Sequence, residues 1–401
     1  MPQEFGSSGG GGTGDYVATG GGILKIIGRE MIHDGQIMVN GKDSVKNSGN
    51  GGGSGGSVFI LADSFDGSGV IQVNGGAGGV HGGGGGSGGR VALHYNSSFF
   101  SGSVSAYGGN STVEAGAAGT IYKKNVQKAF SVLEVYNQGK KPSEEEIADY
   151  SDLSSDSART WISLITDLLV PVAINDINLG AAVYEGLTID EVKLGGSAHL
   201  AIQPERNTLL HTFRSFYGTF EGNNFGYVHV GPRQVLTIPN TDYYIPVNLK
   251  IYPQGNIKLP SRVMLHKNSL SLNAGYLIGV TDLTISQCTV TFGAASGALR
   301  TGALEEMQFT FQRITLMSEG SLEMAAVKAK YTLNVDSLVV NSGGKLIGRN
   351  LTVFAKSVTV EESGKITLGA QGERCPSTDI YLAGSGGSHA GESFKTISLS
   401  S

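Results

Sequence analysis

The sequence predicts an all-β fold of stacked parallel coils, a parallel β-helix, interrupted by one partly helical insert. Three observations carry that prediction. Gly accounts for 62 of 401 residues, charged residues for only 16%, and two families of internal repeat run along the chain. Ordinary proteins hold roughly 7% Gly and roughly 25% charged residues. Collagen is excluded, because no Gly-X-Y period runs through the chain and Pro numbers only 10. Hydrophobics at 39% and a net charge of -5 argue against a disordered chain. The longest apolar run, 164–174, is cut by Asp167 and Pro171 and is too short to cross a bilayer.

The first family of repeats fills residues 1–125. Gly21-Gly22-Ile23-Leu24-Lys25-Ile26 returns as Gly55-Gly56-Ser57-Val58-Phe59-Ile60, then as Gly88-Gly89-Arg90-Val91-Ala92-Leu93, and more faintly as Ala118-Gly119-Thr120-Ile121-Tyr122. A second element keeps the same spacing: Gly35-Gln36-Ile37-Met38, Gly69-Val70-Ile71-Gln72 and Gly102-Ser103-Val104-Ser105. Each unit is two short strands of alternating residues followed by a Gly-rich stretch.

The second family is tighter. Ile314-Thr315-Leu316 precedes Gly320-Ser321-Leu322, Leu338-Val339-Val340 precedes Gly344-Lys345-Leu346, and Val358-Thr359-Val360 precedes Gly364-Lys365-Ile366, at spacings of 24 and 20. Each coil is a strand, a corner at Gly, expected to take a positive φ, and a second strand. Stacking pairs each strand in parallel with its copy.

Between these blocks, residues 126–185 read as an insert. Ser143 as N-cap with Glu146 at the third helical position marks a helix start, against the alternative of a solvated acidic loop. Trp161 with Ile162, Leu164, Ile165, Leu168 and Leu169 reads as the apolar part that docks this insert onto the coils. The organisation expected is 1–125 Gly-rich coils, 126–185 insert, 186–370 further coils, and 371–401 the start of another Gly-rich segment or a tail.

The Gly-rich run 82–89 leads into a strand, so the strand–glycine–helix context of a nucleotide site is absent. Without a basic cluster, nucleic acid is disfavoured as a partner. Polysaccharide cleavage needs carboxylates converging on one bond. Here Asp34 maps to Ser68, Glu323 to Ile347 and Thr367, and Glu362 to Ser342 and Ser318, so no acidic ladder forms. Asp63 and Asp66 read as residues flanking a turn. Asp149, Asp152 and Asp156 are the weak calcium candidates, although they lack the one-three-five spacing of an EF-hand loop. None of the eight histidines forms a metal-binding pair, so no metal or other cofactor is expected beyond that calcium. Asn40 and Asn74 share a coil position and predict a short amide ladder ending at Tyr107. The sequons at Asn96, Asn110 and Asn350 are as many as chance supplies. Cys288 and Cys375 either pair across neighbouring turns or stay as a buried and an exposed thiol.

The Gly51–Ile60, Gly69–Gly76 and Gly85–Leu93 stretches resemble the Gly-rich repeats of very large secreted or cell-surface proteins of the pectin-lyase-like type, whose β-helix is right-handed. The resemblance implies an extracellular structural or adhesive role, with matrix or surface glycans or proteins, or neighbouring copies of the chain, as partners. Pectin-lyase-like enzymes share that fold, but none of their catalytic signatures falls on a position here. The N-terminus has neither the basic nor the apolar region of a signal peptide. Because the chain opens in one Gly-rich block and closes in another, it reads as a piece of a longer protein. The leading expectation is a non-catalytic structural or adhesive segment. The alternatives are a carbohydrate-binding or carbohydrate-cleaving β-helix, and a self-assembling element whose uncapped ends expose strand edges.

Overall fold

The computed structural model describes residues 4–11, 17–140, 160–163, 187–196, 198–203, 214–222, 227–230, 234–238, 245, 248–251, 256–273, 276–293, 305–325, 329–348 and 350–368. Among them the chain is all-β, with strands paired mostly in parallel and no helix. The helix start at Ser143 lies outside the described residues. The chain divides into two compact units, Met1–Thr241 with Pro246–Lys258, and Asp242–Ile245 with Leu259–Ser401.

In the first unit the repeats pair with their own copies. Ile23 aligns with Ser57, Ser57 with Arg90 and Arg90 with Thr120, which are offsets of 34, 33 and 30 residues. A second, three-stranded sheet keeps step, with Gln36 on Val70 and Val70 on Ser103. Alternation of side chains along these strands sends Val58, Ile60, Val91, Leu93 and Ile121 to one buried cluster, joined by Ile71 from the smaller sheet and Val73 just beyond its end. The corner between the two strands is made at Gly67, whose φ of 112° is left-handed and where a Cβ would collide with the His33 backbone.

Beyond Val73 the pleated strands give way to a different packing. Residues 73–79 run out and 83–89 run back, and every third residue turns inward: Val73, Gly76 and Gly79, then Gly83, Gly86 and Gly89. These limbs bond across the seam, with the N–H groups of Gly83, Gly86 and Gly89 donating to the carbonyls of Gly79, Gly76 and Val73 at 2.9, 2.9 and 2.6 Å. The N–H groups of Gly85 and Gly88 donate instead to Glu114 and Ala117 of the next repeat, both at 2.9 Å. Partners recurring every third residue mark an extended helix of three residues per turn, which makes no hydrogen bonds within itself. The limbs lie so close that a Cβ on Gly55 would strike the Val73 carbonyl oxygen.

The stack then reverses. Thr120–Asn125 and Phe130–Tyr136 form an antiparallel hairpin, so residues 130–136, at the start of the segment read as an insert, belong to the same sheet. Leu187–Gly195 continues that sheet parallel to the second hairpin strand, with Val192 on Leu133 and Leu194 on Val135. The buried face changes too. Directly opposed residues of an antiparallel pair share a face, and Leu133 opposes Tyr122, not Ile121. Leu133, Val135, Val192 and Leu194, each at most 1% exposed, are therefore buried on the sheet face opposite to Val58 and Ile121. Thr160–Ser163, which holds Trp161, pairs in parallel with His199–Gln203.

In the second unit Arg262–His266, Asp282–Ser286, Glu305–Met317, Ala329–Val340 and Leu351–Val360 form one parallel sheet. Ile314, Leu338 and Val358 are aligned, as are Leu322, Leu346 and Ile366 in a second ladder. Leu283, Ile285, Ile314, Leu316, Leu322, Leu338 and Leu346 are essentially unexposed, and each such side chain is worth about 1.5–3 kcal/mol on burial. The corners differ from expectation. Left-handed φ falls on Lys267, Gln287, Ser318 and Glu319, and among the glycines of this unit's described corners on Gly279 and Gly343. Gly320, Gly344 and Gly364 serve close approach instead, because a Cβ there would run into the carbonyls of Ile285, Leu316 and Val340 in the preceding repeat.

Candidate functional site

Three of the carboxylates singled out from the sequence, Asp34, Asp63 and Asp66, are tied to backbone, hydroxyl or amide groups of the next repeat. Asp34 Oδ1 accepts from the Ser68 N–H at 2.8 Å and from its hydroxyl at 3.0 Å. Asp63 and Asp66 do not flank a turn. Both lie within the strand Ser57–Asp66, where the N–H groups of Asp63 and Ser64 share the Arg29 carbonyl in an irregular step of the ladder. Asp63 Oδ1 accepts from Asn96 Nδ2 at 3.0 Å, and Asp66 Oδ1 from the Phe99 N–H at 2.8 Å. Glu323 aligns with Ile347, and Ile347 with Thr367, as the spacing indicated. Asp149, Asp152 and Asp156 lie outside the described residues. Among the described residues no group of three or more His, Cys, Asp or Glu is placed to hold a metal ion.

The shared position of Asn40 and Asn74 is structural, in a form the sequence did not indicate. Each side-chain oxygen accepts the backbone N–H one repeat on: Asn40 Oδ1 from Asn74 at 2.7 Å, Asn74 Oδ1 from Tyr107 at 2.8 Å. Asn137, 1% exposed, makes the same kind of bond in the opposite sense, accepting the N–H of Gly108, 29 residues before it, at 2.9 Å. Asn40 and Asn74 thus bond to backbone along the stack and not to each other; the amide-to-amide contact of Asn40 is with Gln72, its Nδ2 donating to Gln72 Oε1 at 3.3 Å.

His94 stands between the rings of Phe59 and Tyr122, with centroids at 5.3 and 5.7 Å and edge-on geometry. Burial, followed by the charge of Lys124, lowers its pKa from 6.5 to about 4, so the imidazole is neutral at pH 7. Burial likewise raises the pKa of Tyr122. Cys288 is a free thiol, its Sγ donating to the Leu265 carbonyl at 3.3 Å, and burial raises its pKa above the ordinary value. A thiol held in that form is a poor nucleophile. Cys375 lies outside the described residues. Asn96, Asn110 and Asn350 are all exposed.

An open groove runs along the Gly-rich mesh, lined by residues 8–11, 49, 51, 52, 54 and 84–87. All are Gly or Ser, so its walls offer backbone amides, backbone carbonyls and the hydroxyls of Ser8, Ser54 and Ser87. Its chemistry is neutral hydrogen bonding. No sequence motif pointed to it, because its chemical groups belong to the backbone; the only signal was that Gly runs recur at one position of successive repeats.

No family model matches the chain, and no similar protein was found among curated sequences or solved structures.

Proposed function

We propose that this chain is a structural or adhesive segment of an extracellular or cell-surface protein, built as a right-handed parallel β-helix and acting by display and not by catalysis. The observation that supports this reading is register. Copies of each strand pair at offsets of 34, 33 and 30 residues in one block, and 24 and 20 in another. Each repeat rests on the one before it, as in folds that extend by adding units. Asp34, Asp63 and Asp66, the carboxylates nearest the repeats' corners, are spent on joining one repeat to the next. Matrix or surface glycans, or proteins, are the partners this role implies.

The test is a glycan-array binding and depolymerisation screen on the purified chain, with calcium and with chelator. Binding without cleavage is expected of an adhesive segment, and silence in both assays of a structural one. Cleavage of any polysaccharide would overturn the reading.

A further inference from the structure

We propose that the groove beside residues 84–87 docks an extended, glycine-rich strand of another polypeptide. The chain itself shows how such a strand sits, one repeat earlier. Residues 6–10 lie along the mesh, with the N–H groups of Gly6 and Gly9 donating to the carbonyls of Gly21 and Ala18 at 2.9 and 2.8 Å. In return the N–H groups of Gly51 and Ser54 donate to the carbonyls of Gly10 and Ser7, both at 2.9 Å.

The ladder offsets of 34 and 33 residues carry these positions forward by one repeat. Ala18 and Gly21 correspond to Gly52 and Gly55, and Gly51 and Ser54 correspond to Gly84 and Ser87. Gly52, Gly84 and Ser87 line the open groove. Among the described residues the N–H groups of Gly84 and Ser87 have no acceptor, and the carbonyls of Gly52 and Gly55 receive no N–H. By contrast, the N–H groups of Gly85 and Gly86, between those two donors, are bonded within the chain at 2.9 Å. Gly52 and Gly55 are buried, and buried backbone groups are nearly always paired in native proteins. The groove therefore repeats the donors and acceptors that hold residues 6–10.

The spacing specifies the occupant. Gly84 and Ser87 are three residues apart, and a three-per-turn strand turns a carbonyl to the same side every third residue. A Cβ on Gly6 or Gly9 would collide with the Ser54 or Gly51 carbonyl. The docked strand must therefore carry Gly at every third position, where its N–H groups reach the carbonyls of Gly52 and Gly55 and a Cβ would meet those of Gly84 and Ser87. The polypeptide that fits is a Gly-X-X stretch in extended conformation.

The test uses the full chain and an acetylated peptide with the sequence of residues 4–11. Titration is followed by the backbone amide resonances. Those of Gly84 and Ser87 are expected to shift saturably, and those of Gly85 and Gly86 to stay. A peptide with Ala in place of Gly6 and Gly9 should leave all four unmoved. In the chain, the double variant Gly84→Pro/Ser87→Pro removes both donors, while the fixed φ of proline suits the extended helix. The nearest atom to a Cβ on Gly84 is the Glu114 carbonyl oxygen at 3.8 Å, so the ring has room. Peptide affinity should fall at least about tenfold with the unfolding midpoint unchanged, since two hydrogen bonds are lost. No shift with millimolar peptide, equal binding by the Ala peptide, or a response to a neutral oligosaccharide and not to the peptide would overturn the proposal. The peptide comparison decides the matter even if the proline variant does not fold.

Discussion

The glycine limbs, residues 73–79 and 83–89, and the strands Glu305–Met317, Ala329–Val340 and Leu351–Val360 hold their repeats together by opposite means. In the first, backbone bonds to backbone in three directions and the interior is glycine. In the second, Ile314, Leu338 and their neighbours fill the space between paired strands with side chains. The glycine mesh gains close contact by having no Cβ, and any side chain added at its seams is an obstruction. The aliphatic core gains from each methyl group it buries, and any methyl group removed leaves a cavity. One substitution of each kind should separate the two.

The largest effect is expected from Gly55→Ala, because the new methyl group meets the Val73 carbonyl and the Gly89 N–H, and neither backbone can retreat alone. A loss of about 3 kcal/mol or more is expected in denaturant unfolding; an unchanged midpoint would mean that the mesh is looser than its hydrogen bonds indicate. Leu338→Ala, at 1% exposure, should cost about 2–5 kcal/mol through lost burial and a residual cavity. Its effect should be relieved by Leu338→Met, a rescue that no larger residue can offer at Gly55.

His94 sharpens the comparison through pH. Its folded pKa of about 4 lies below the ordinary 6.5, so between these values the unfolded chain binds the proton and the native chain does not. Stability should therefore hold above about pH 6.5, fall as pH drops toward 4, and lose this component of its slope below that. Thermal midpoints of the parent and of His94→Phe across pH 4–7 would show it; parallel curves would rule the assignment out. The smallest effect belongs to Gly22→Ala, where nothing lies within 4 Å of the new methyl group. A change within about 0.5 kcal/mol, or a slight gain from a stiffer unfolded chain, is expected.

The registers of both repeat families were legible because they are written in side chains: alternating Val, Ile and Leu copied at fixed spacing leave one alignment that buries them all. The mesh was legible only as composition. A Gly run does not say which neighbour each N–H will meet, since that depends on three other segments arriving in step. The corner glycines of the second unit illustrate the same limit. Gly320 was expected at a positive φ, yet Ser318 and Glu319 take that conformation, and Gly320 instead lets the chain press on the Ile285 carbonyl. The reversal at 126–129 had a single residue as its signal: Val126-Gln127-Lys128-Ala129 contains none of the usual turn residues and Ala129 adopts a φ of 51°, but Asn125 before them accepts the Lys128 N–H at 2.8 Å. For the candidate groove, the donors and acceptors are peptide groups common to every residue, so no motif could have named them.

That reversal has a consequence for how the chain acquires its structure. Asn125 and Phe130, the innermost pair of the hairpin, are five residues apart, whereas the parallel pairs of the described sheets join residues 20 or more apart, as Arg262 and Asp282 do. Closing a short loop is faster and costs less entropy than closing a long one. The hairpin is then the expected starting point from which ladders zip outward in both directions along the chain. Pulsed hydrogen exchange during refolding would show Tyr122 and Leu133 amides protected before those of Val58 and Val192; the reverse order would place the origin elsewhere.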